Sequence, residues 1–298
     1  MSQPSTLPEA VRAHAASVVA DARWVRVDLD RLAEYDAQVE QPAAPSLHPD
    51  RHFLDGSEED VARFCLTLTA INFGSGWFPT LRKRRGMSGY FTVASSLTDR
   101  FRGEGPWSND ALRSLTADEV AAVMGQRRDH ELMALFAQAL RQLGVWLGER
   151  RALDVVRESG GSAVALAALV AESMSMWNDR GFYKRAQILS SDLSLAGVAR
   201  FADLDALTIF ADNLVPHVLR CDGVLVYDPL LAAHIDAEEL LVNAAQEREI
   251  RAAAVHACAL LAARTGVPER VLDMWLWTRG QAPEYKARPR HRARTVFY

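Results

Sequence analysis

Apolar residues recur at three- and four-residue spacings along almost the whole chain. Val61, Phe64, Cys65, Leu68 and Ile71 form one such stripe, and Leu132, Phe136, Leu140, Leu143 and Leu147 form another. That period puts each set on one face of an α-helix. Helix starts are marked by capping residues or first-turn acids: Ser57 with Glu58 and Glu59, Thr116 with Asp118 and Glu119, and Asp203. Alternating segments are scarce. The best, residues 223–227 and 294–298, are too few for a sheet-based fold. The pattern predicts an all-α or nearly all-α architecture, a single large helical domain of two packed halves. Loops are expected over residues 41–56, 74–89, 103–109 and 281–290 and at Gly160-Gly161, none long enough for a flexible interdomain linker. Residues 1–298 therefore read as one domain with a soft internal boundary near 160.

Composition narrows the class of ligand. Of 298 residues, 49% are hydrophobic and 24% charged, enough apolar material for a sizeable core. Lys and Arg total 34 against 38 Asp and Glu, so no global basic field draws in a nucleic-acid backbone. A small molecule is the expected partner, and intact nucleic acid is not. Cys65, Cys221 and Cys258 are far apart in apolar contexts and read as free thiols. The apolar run from Ala163 to Ala171 falls well short of the roughly 20 residues of a membrane span. Residues 1–10 contain no cationic stretch leading into an apolar one. The expected compartment is the cytoplasm, with no membrane partner.

Common catalytic signatures are absent: no phosphate-cradling Gly loop, no GxSxG elbow, no HExxH and no CxxC. His48 and His52 flank Pro49 and Asp50 in a loop with no evident third ligand, so no metal is expected. Four segments can carry chemistry. Asn72-Phe73-Gly74-Ser75-Gly76-Trp77-Phe78 bunches aromatics around two flexible glycines; it reads either as a clamp for a flat heterocycle or as a helix C-cap followed by core aromatics. Lys184 and Arg185 open a helix against its dipole, so either a local anion or a solvated face must accommodate them. Asp212-Asn213 sits inside the apolar run 207–219, next to Pro216, which places the pair at a helix-to-helix corner. Asp212 is there either as an N-cap or as a partly buried catalytic carboxylate. Glu247 and Arg251 form an ordinary four-residue pair, whereas Glu249 faces elsewhere, toward another element or a ligand. The apolar finish Thr295-Val296-Phe297-Tyr298 is expected to dock rather than fray.

Together these segments resemble the queuosine salvage family of queuosine 5′-phosphate N-glycosidases, along nearly the whole chain. Val11-Arg12 through Val25-Arg26-Val27-Asp28 resembles the family's opening helix, and His52-Phe53-Leu54-Asp55-Gly56 the entry to its next one. Asn72-Phe73, Trp177-Asn178-Asp179, Lys184-Arg185-Ala186-Gln187 with Asp192-Leu193, and Glu249-Ile250-Arg251 are similar to further family elements. Leu207-Thr208-Ile209-Phe210-Ala211-Asp212 with Val215-Pro216 matches its most specific motif. The resemblance implies an all-helical fold distantly like helix-hairpin-helix DNA glycosylases. It implies a cofactor-free hydrolase that releases queuine, a 7-deazaguanine base, from a nucleoside or its 5′-monophosphate for reuse in tRNA. It implies catalysis by Asp212, a base and sugar pocket near Asn72, Phe73, Lys184 and Asp192, and bracing by Glu249 and Arg251. Trp77 and Asn213 join the substrate-binding set at the two places where the chain departs from the family: Gly74-Ser75-Gly76 replaces an aromatic cluster, and Asn213-Leu214 replaces Tyr-Arg. These departures leave room for a different modified deazapurine. The rival readings are a noncatalytic deazapurine-binding protein and, disfavoured by charge, a DNA-lesion glycosylase.

Overall fold

A computed structural model describes residues 6–36, 38–39 and 47–298. Of the loop expected over 41–56, residues 41–46 lie outside this range, as do residues 1–5 of the N-terminal segment. Among the described residues there are fifteen α-helices and one two-stranded ribbon, so the all-α reading holds. In chain order they are α1 (Leu7–Ala20), β1 (Val25–Val27), α2 (Leu29–Tyr35), α3 (Glu58–Ala70), α4 (Gly89–Glu104), α5 (Asn109–Ser114), α6 (Ala117–Met124) and α7 (Glu131–Leu147). There follow α8 (Ala152–Glu158), α9 (Ala163–Ser173), α10 (Lys184–Leu195), α11 (Val215–Cys221), β2 (Leu225–Tyr227), α12 (Pro229–Asp236), α13 (Ala244–Thr265), α14 (Glu269–Arg279) and α15 (Pro283–Lys286).

These elements form two compact units that are not consecutive halves. The first is built from the described residues up to 39 together with 180–184 and 205–294; the second takes 47–179, 185–204 and 295–298. Gly160, where the soft boundary was expected, lies inside the second unit. No single helix among the described residues is long and apolar enough to cross a membrane.

In the first unit α13 is the central rod. Asn243 caps its start by accepting the Ala245 N–H at 3.0 Å, and Gly266, in the left-handed region, ends it. Its run of small residues, Ala252, Ala253, Ala254 and Ala257, is fully buried, and α1 and α11 lie against it. Residues 25–27, expected as part of an opening helix, instead pair antiparallel with 225–227. Val25 and Val27 are β-branched and favour the extended form, and Glu249 of α13 accepts the N–H groups of residues 23–25, which a helix would turn away. The second expected strand, 294–298, has no ladder partner.

In the second unit α7 buries Leu132, Phe136, Leu140, Leu143 and Leu147 completely, against α5, α6 and α3. Ser57 and Thr116 cap α3 and α6 as the sequence indicates, Thr116 through a full capping box with Glu119. Asp203 behaves differently. It does not start an α-helix of its own but accepts the Ser162 hydroxyl at 2.5 Å and the Ala163 N–H at 2.6 Å, capping α9 from across the chain.

Candidate active site

Residues 207–211 run in no helix and pair with no strand, yet all five are buried. A buried backbone without a ladder must find its hydrogen bonds elsewhere. Here charged side chains from three helices supply them. Arg12 of α1 donates to the Ala206 carbonyl at 2.9 Å and pairs with Glu269 of α14. Glu269 lies beside the Ile209 amide. Asp273, one turn further along α14, accepts the Phe210 N–H at 2.8 Å. Arg251 of α13 donates through Nε to the Ala211 carbonyl at 2.9 Å.

This suspended segment delivers Asp212 to the start of α11, so the corner is an extended-to-helix one rather than the expected helix-to-helix one. Asp212 Oδ1 accepts the Leu214 N–H at 2.7 Å and the Val215 N–H at 3.3 Å. Pro216, in the first turn of α11, needs no such acceptor. The capping reading is therefore correct for one oxygen. Oδ2 accepts no hydrogen bond from any described residue, and the side chain is only half-buried. One carboxylate thus has a pinned oxygen and an open one.

Asp273 is the residue that sequence reasoning missed. Burial, with the Asp212 charge adding to it, pushes its carboxyl up to about 7, against the pull of the Phe210 amide and of Lys184. A signal existed: Glu269 and Asp273, four residues apart, share the face of α14 that carries Leu272 and Leu276, and two acids on an apolar face call for partners.

The remaining expected residues of this unit divide by role. Lys184 is buried at the start of α10 and balances Asp273 electrostatically. It follows Tyr183, whose φ of 51° is a left-handed value that non-glycine residues seldom hold without support. Glu249 spends both oxygens on the amides of residues 23–25, with the Trp24 N–H at 2.7 Å. Arg251, besides holding Ala211, lies 4.0 Å over the Phe182 ring. Asn213 donates to the His291 carbonyl at 3.1 Å and so ties down the segment after α15. Burial and the nearby cations Arg251, Arg290 and Arg220 push the His291 ring down to about 3, so it is neutral.

The other expected residues lie in the second unit. Phe73 is buried, edge-on to Phe136 at 5.1 Å, with the Arg185 guanidinium 4.9 Å from its ring centre. Arg185 donates to the carbonyls of Ala70 and Met176, which makes it an interior clasp. Asn72 is half-buried beside it in sequence. Gly74, at φ 113°, donates to the Tyr298 carbonyl at 2.9 Å; a β-carbon there would sit 2.8 Å from the Leu132 methyls. The C-terminal residue is thus docked, as expected. Trp77 is 4% exposed, and its indole N–H donates to Glu131 at 2.7 Å. Asp192, half-buried on α10, adds its charge to the burial that raises the Cys65 thiol and the Tyr90 hydroxyl. Tyr90 in turn meets His52 Nε2 at 3.1 Å, while His52 Nδ1 accepts the His48 N–H at 3.0 Å, so both ring nitrogens of His52 are engaged within the protein. All three cysteines are free.

Comparison with known proteins shows which family the chain belongs to. A sequence profile of the family described as queuosine salvage protein matches residues 48–298. A queuosine 5′-phosphate N-glycosylase/hydrolase from Sphaerobacter thermophilus is 33% identical over 94% of this chain and 95% of its own. Proteins of the same description from Bos taurus and Dictyostelium discoideum are 29% identical over 82% of this chain and 39% identical over 39% of it, covering 83% and 40% of their own lengths. The chain belongs to the queuosine salvage protein family.

Proposed function

We propose that this protein is an N-glycosidase that hydrolyses the base–ribose bond of queuosine 5′-monophosphate or queuosine and releases queuine. The observation that carries this reading is the divided carboxylate of Asp212, one oxygen fixed by two amides and the other open, within the family's most specific motif. Cleavage of the C1′–N bond sends its electron pair to the departing base and leaves the ribose with oxocarbenium character. The open oxygen of Asp212 stabilises that cation and orients a water for attack on C1′. The water's proton is ultimately taken up by the base, so the products are queuine and the free sugar or sugar phosphate. Nothing in this sequence of steps requires a redox cofactor.

Within this reading Lys184 serves the sugar-phosphate end, Arg251 and Glu249 brace the Asp212 segment, and Asn213 fixes the segment that follows α15. The assignments of Asn72, Phe73 and Asp192 to base and sugar recognition rest on the family motif. The family-typical aromatic cluster and Tyr-Arg pair are replaced here by Gly74-Ser75-Gly76 and Asn213-Leu214, which supports a shifted preference among deazapurines. We place the protein in the cytoplasm, acting on a free nucleoside or nucleotide rather than on intact nucleic acid, as one catalytic domain. The test is incubation with queuosine and with queuosine 5′-monophosphate, followed by mass spectrometry for free queuine. Release from either compound supports the proposal; binding without release would make the protein a deazapurine carrier instead.

A further inference from the structure

Residues 180–184 are a short excursion of the chain: they belong to the first unit, while residue 179 before them and residue 185 after them belong to the second. A segment this short, with no helix before Lys184, must be fixed by its own side chains. Arg180 is exposed, Gly181 has no side chain and Tyr183 is half-buried, so the anchor within 180–183 is Phe182, which is buried. The backbone on both sides of that anchor is left-handed. Gly181 sits at φ 92°, where a β-carbon would run into the His14 imidazole, and Tyr183 sits at φ 51°. A tyrosine keeps such a value only where its surroundings over-determine it. The chain is bent at the Phe182 ring, and Lys184 leaves from that bend into α10.

Two helices grip the ring. His14 of α1 meets it edge-on at 5.5 Å, and the guanidinium of Arg251 on α13 lies 4.0 Å from its centre. Both Arg251 and Phe182 are shielded from water, which is where attraction between a cation and a ring face is strongest. An arginine that presents its face to a ring keeps its in-plane N–H groups for other acceptors. Arg251 does so: Nε donates to the Ala211 carbonyl at 2.9 Å, and Glu247 pairs with the same guanidinium at 3.3 Å. One planar group thus touches the residue two before Lys184 and the residue one before Asp212. A lysine is a point charge on a flexible stem, so the place of its ammonium depends on how its backbone is held.

We propose that Phe182 is a positioning residue: its ring, held on the face of Arg251, sets the Lys184 side chain relative to Asp212. Its part in turnover rests on the N-glycosidase reading, whereas its hold on Lys184 does not. Replacing Phe182 by mono-, di- and trifluorophenylalanine keeps its shape while withdrawing charge from the ring face, so a ring that only fills space is indifferent to the series. The expected result is a stepwise fall in kcat on queuosine 5′-monophosphate, reaching about tenfold with three fluorines, at nearly constant KM and Tm. Phe182→Leu lowers kcat about 10- to 100-fold, but by less than about threefold in a Lys184→Ala background, because the two changes remove one function. The exposed Lys83 and Lys286 are the only other lysines of the chain, so acetylation read by mass spectrometry measures Lys184 against internal references. Lys184 is expected to react about tenfold faster in Phe182→Leu and in the trifluoro variant than in wild type, with the references unchanged. A flat fluorine series, or losses that add in full to that of Lys184→Ala, overturns the proposal. If wild type cleaves neither queuosine 5′-monophosphate nor queuosine, the N-glycosidase reading fails and the acetylation rates alone decide. Faster labelling of Lys184 along the fluorine series then upholds the hold of Phe182 on Lys184, and unaltered labelling removes it.

Discussion

The Asp212 region and the aromatic loop at residues 72–78 both fall within the residues matched by the family profile and are both largely buried, yet they are held by opposite means. The loop is held locally by packing. Phe73 lies on Phe136, Gly74 closes on Leu132 and Tyr298, and Trp77 is sealed against Glu131. The Asp212 segment is held at a distance by charge, through Arg12, Glu269, Asp273 and Arg251, from helices far apart in sequence. Apolar packing tolerates no exposed face and so leaves little for a ligand to touch. Charged suspension leaves a carboxylate with an oxygen to spare. The contrast teaches that, of two motifs equally visible in sequence, the one stabilised by buried polar groups is the better candidate for chemistry.

The sharpest break of this contrast is Trp77→Ala. Truncating a packed indole is expected to cost about 3–5 kcal/mol of stability, a large fall in Tm, with KM unchanged. A tenfold rise in KM at wild-type Tm would instead make the loop a wall of the base site. Asp273→Asn probes the suspended side. Its folded-state carboxyl, near 7, lies above the ordinary value of 3.8, so its stabilising contribution is complete below about pH 4 and is lost as pH rises through 7. That difference corresponds to at most about 4 kcal/mol. Melting curves from pH 4 to 8 should slope downward in wild type and flatten in the Asn variant; parallel curves would show that Asp273 titrates normally.

Asp212→Asn should lower kcat about 10²–10³-fold, about 3–4 kcal/mol, with little change in substrate affinity. The amide oxygen can keep the Leu214 cap, which turns the NH2 group toward the developing cation. Wild-type turnover by a folded variant would reduce Asp212 to a helix cap. The smallest change expected is that of Lys184→Ala, a loss of roughly tenfold in kcat/KM, about 1.4 kcal/mol, in a protein that still folds. Unchanged kcat/KM on both nucleoside and monophosphate would remove Lys184 from the site.

Much of this was legible from periodicity and caps. The stripes of α3 and α7, the starts at Ser57 and Thr116 and the helix at Lys184 follow from local spacing, which is what sequence displays. Legibility failed wherever a side chain served a distant backbone. Asp203 looks like a helix start but caps α9, forty residues earlier. Val25 to Val27 are placed in an opening helix by the resemblance, but the amides of residues 23–25 belong to Glu249. Asp273 was hidden because its reason for being buried, the Phe210 amide, lies 63 residues away. Asp212 was singled out because its motif is specific, and its capping role because Pro216 is close by; that the cap occupies only one of its two oxygens follows from three-dimensional placement, which spacing does not display.

The side-chain suspension of residues 206–211 also makes Asp212 a mechanical sum of its supports. α1, α13 and α14 each grip a different peptide group of the same short segment, so a small displacement of any one of them is transmitted to the carboxylate with no sheet to absorb it. Misplacement by an ångström is enough to cost about 10²-fold in rate. Loss of activity without loss of fold should therefore map onto residues that never meet the ligand, such as Arg12 and Glu269, as readily as onto those that do.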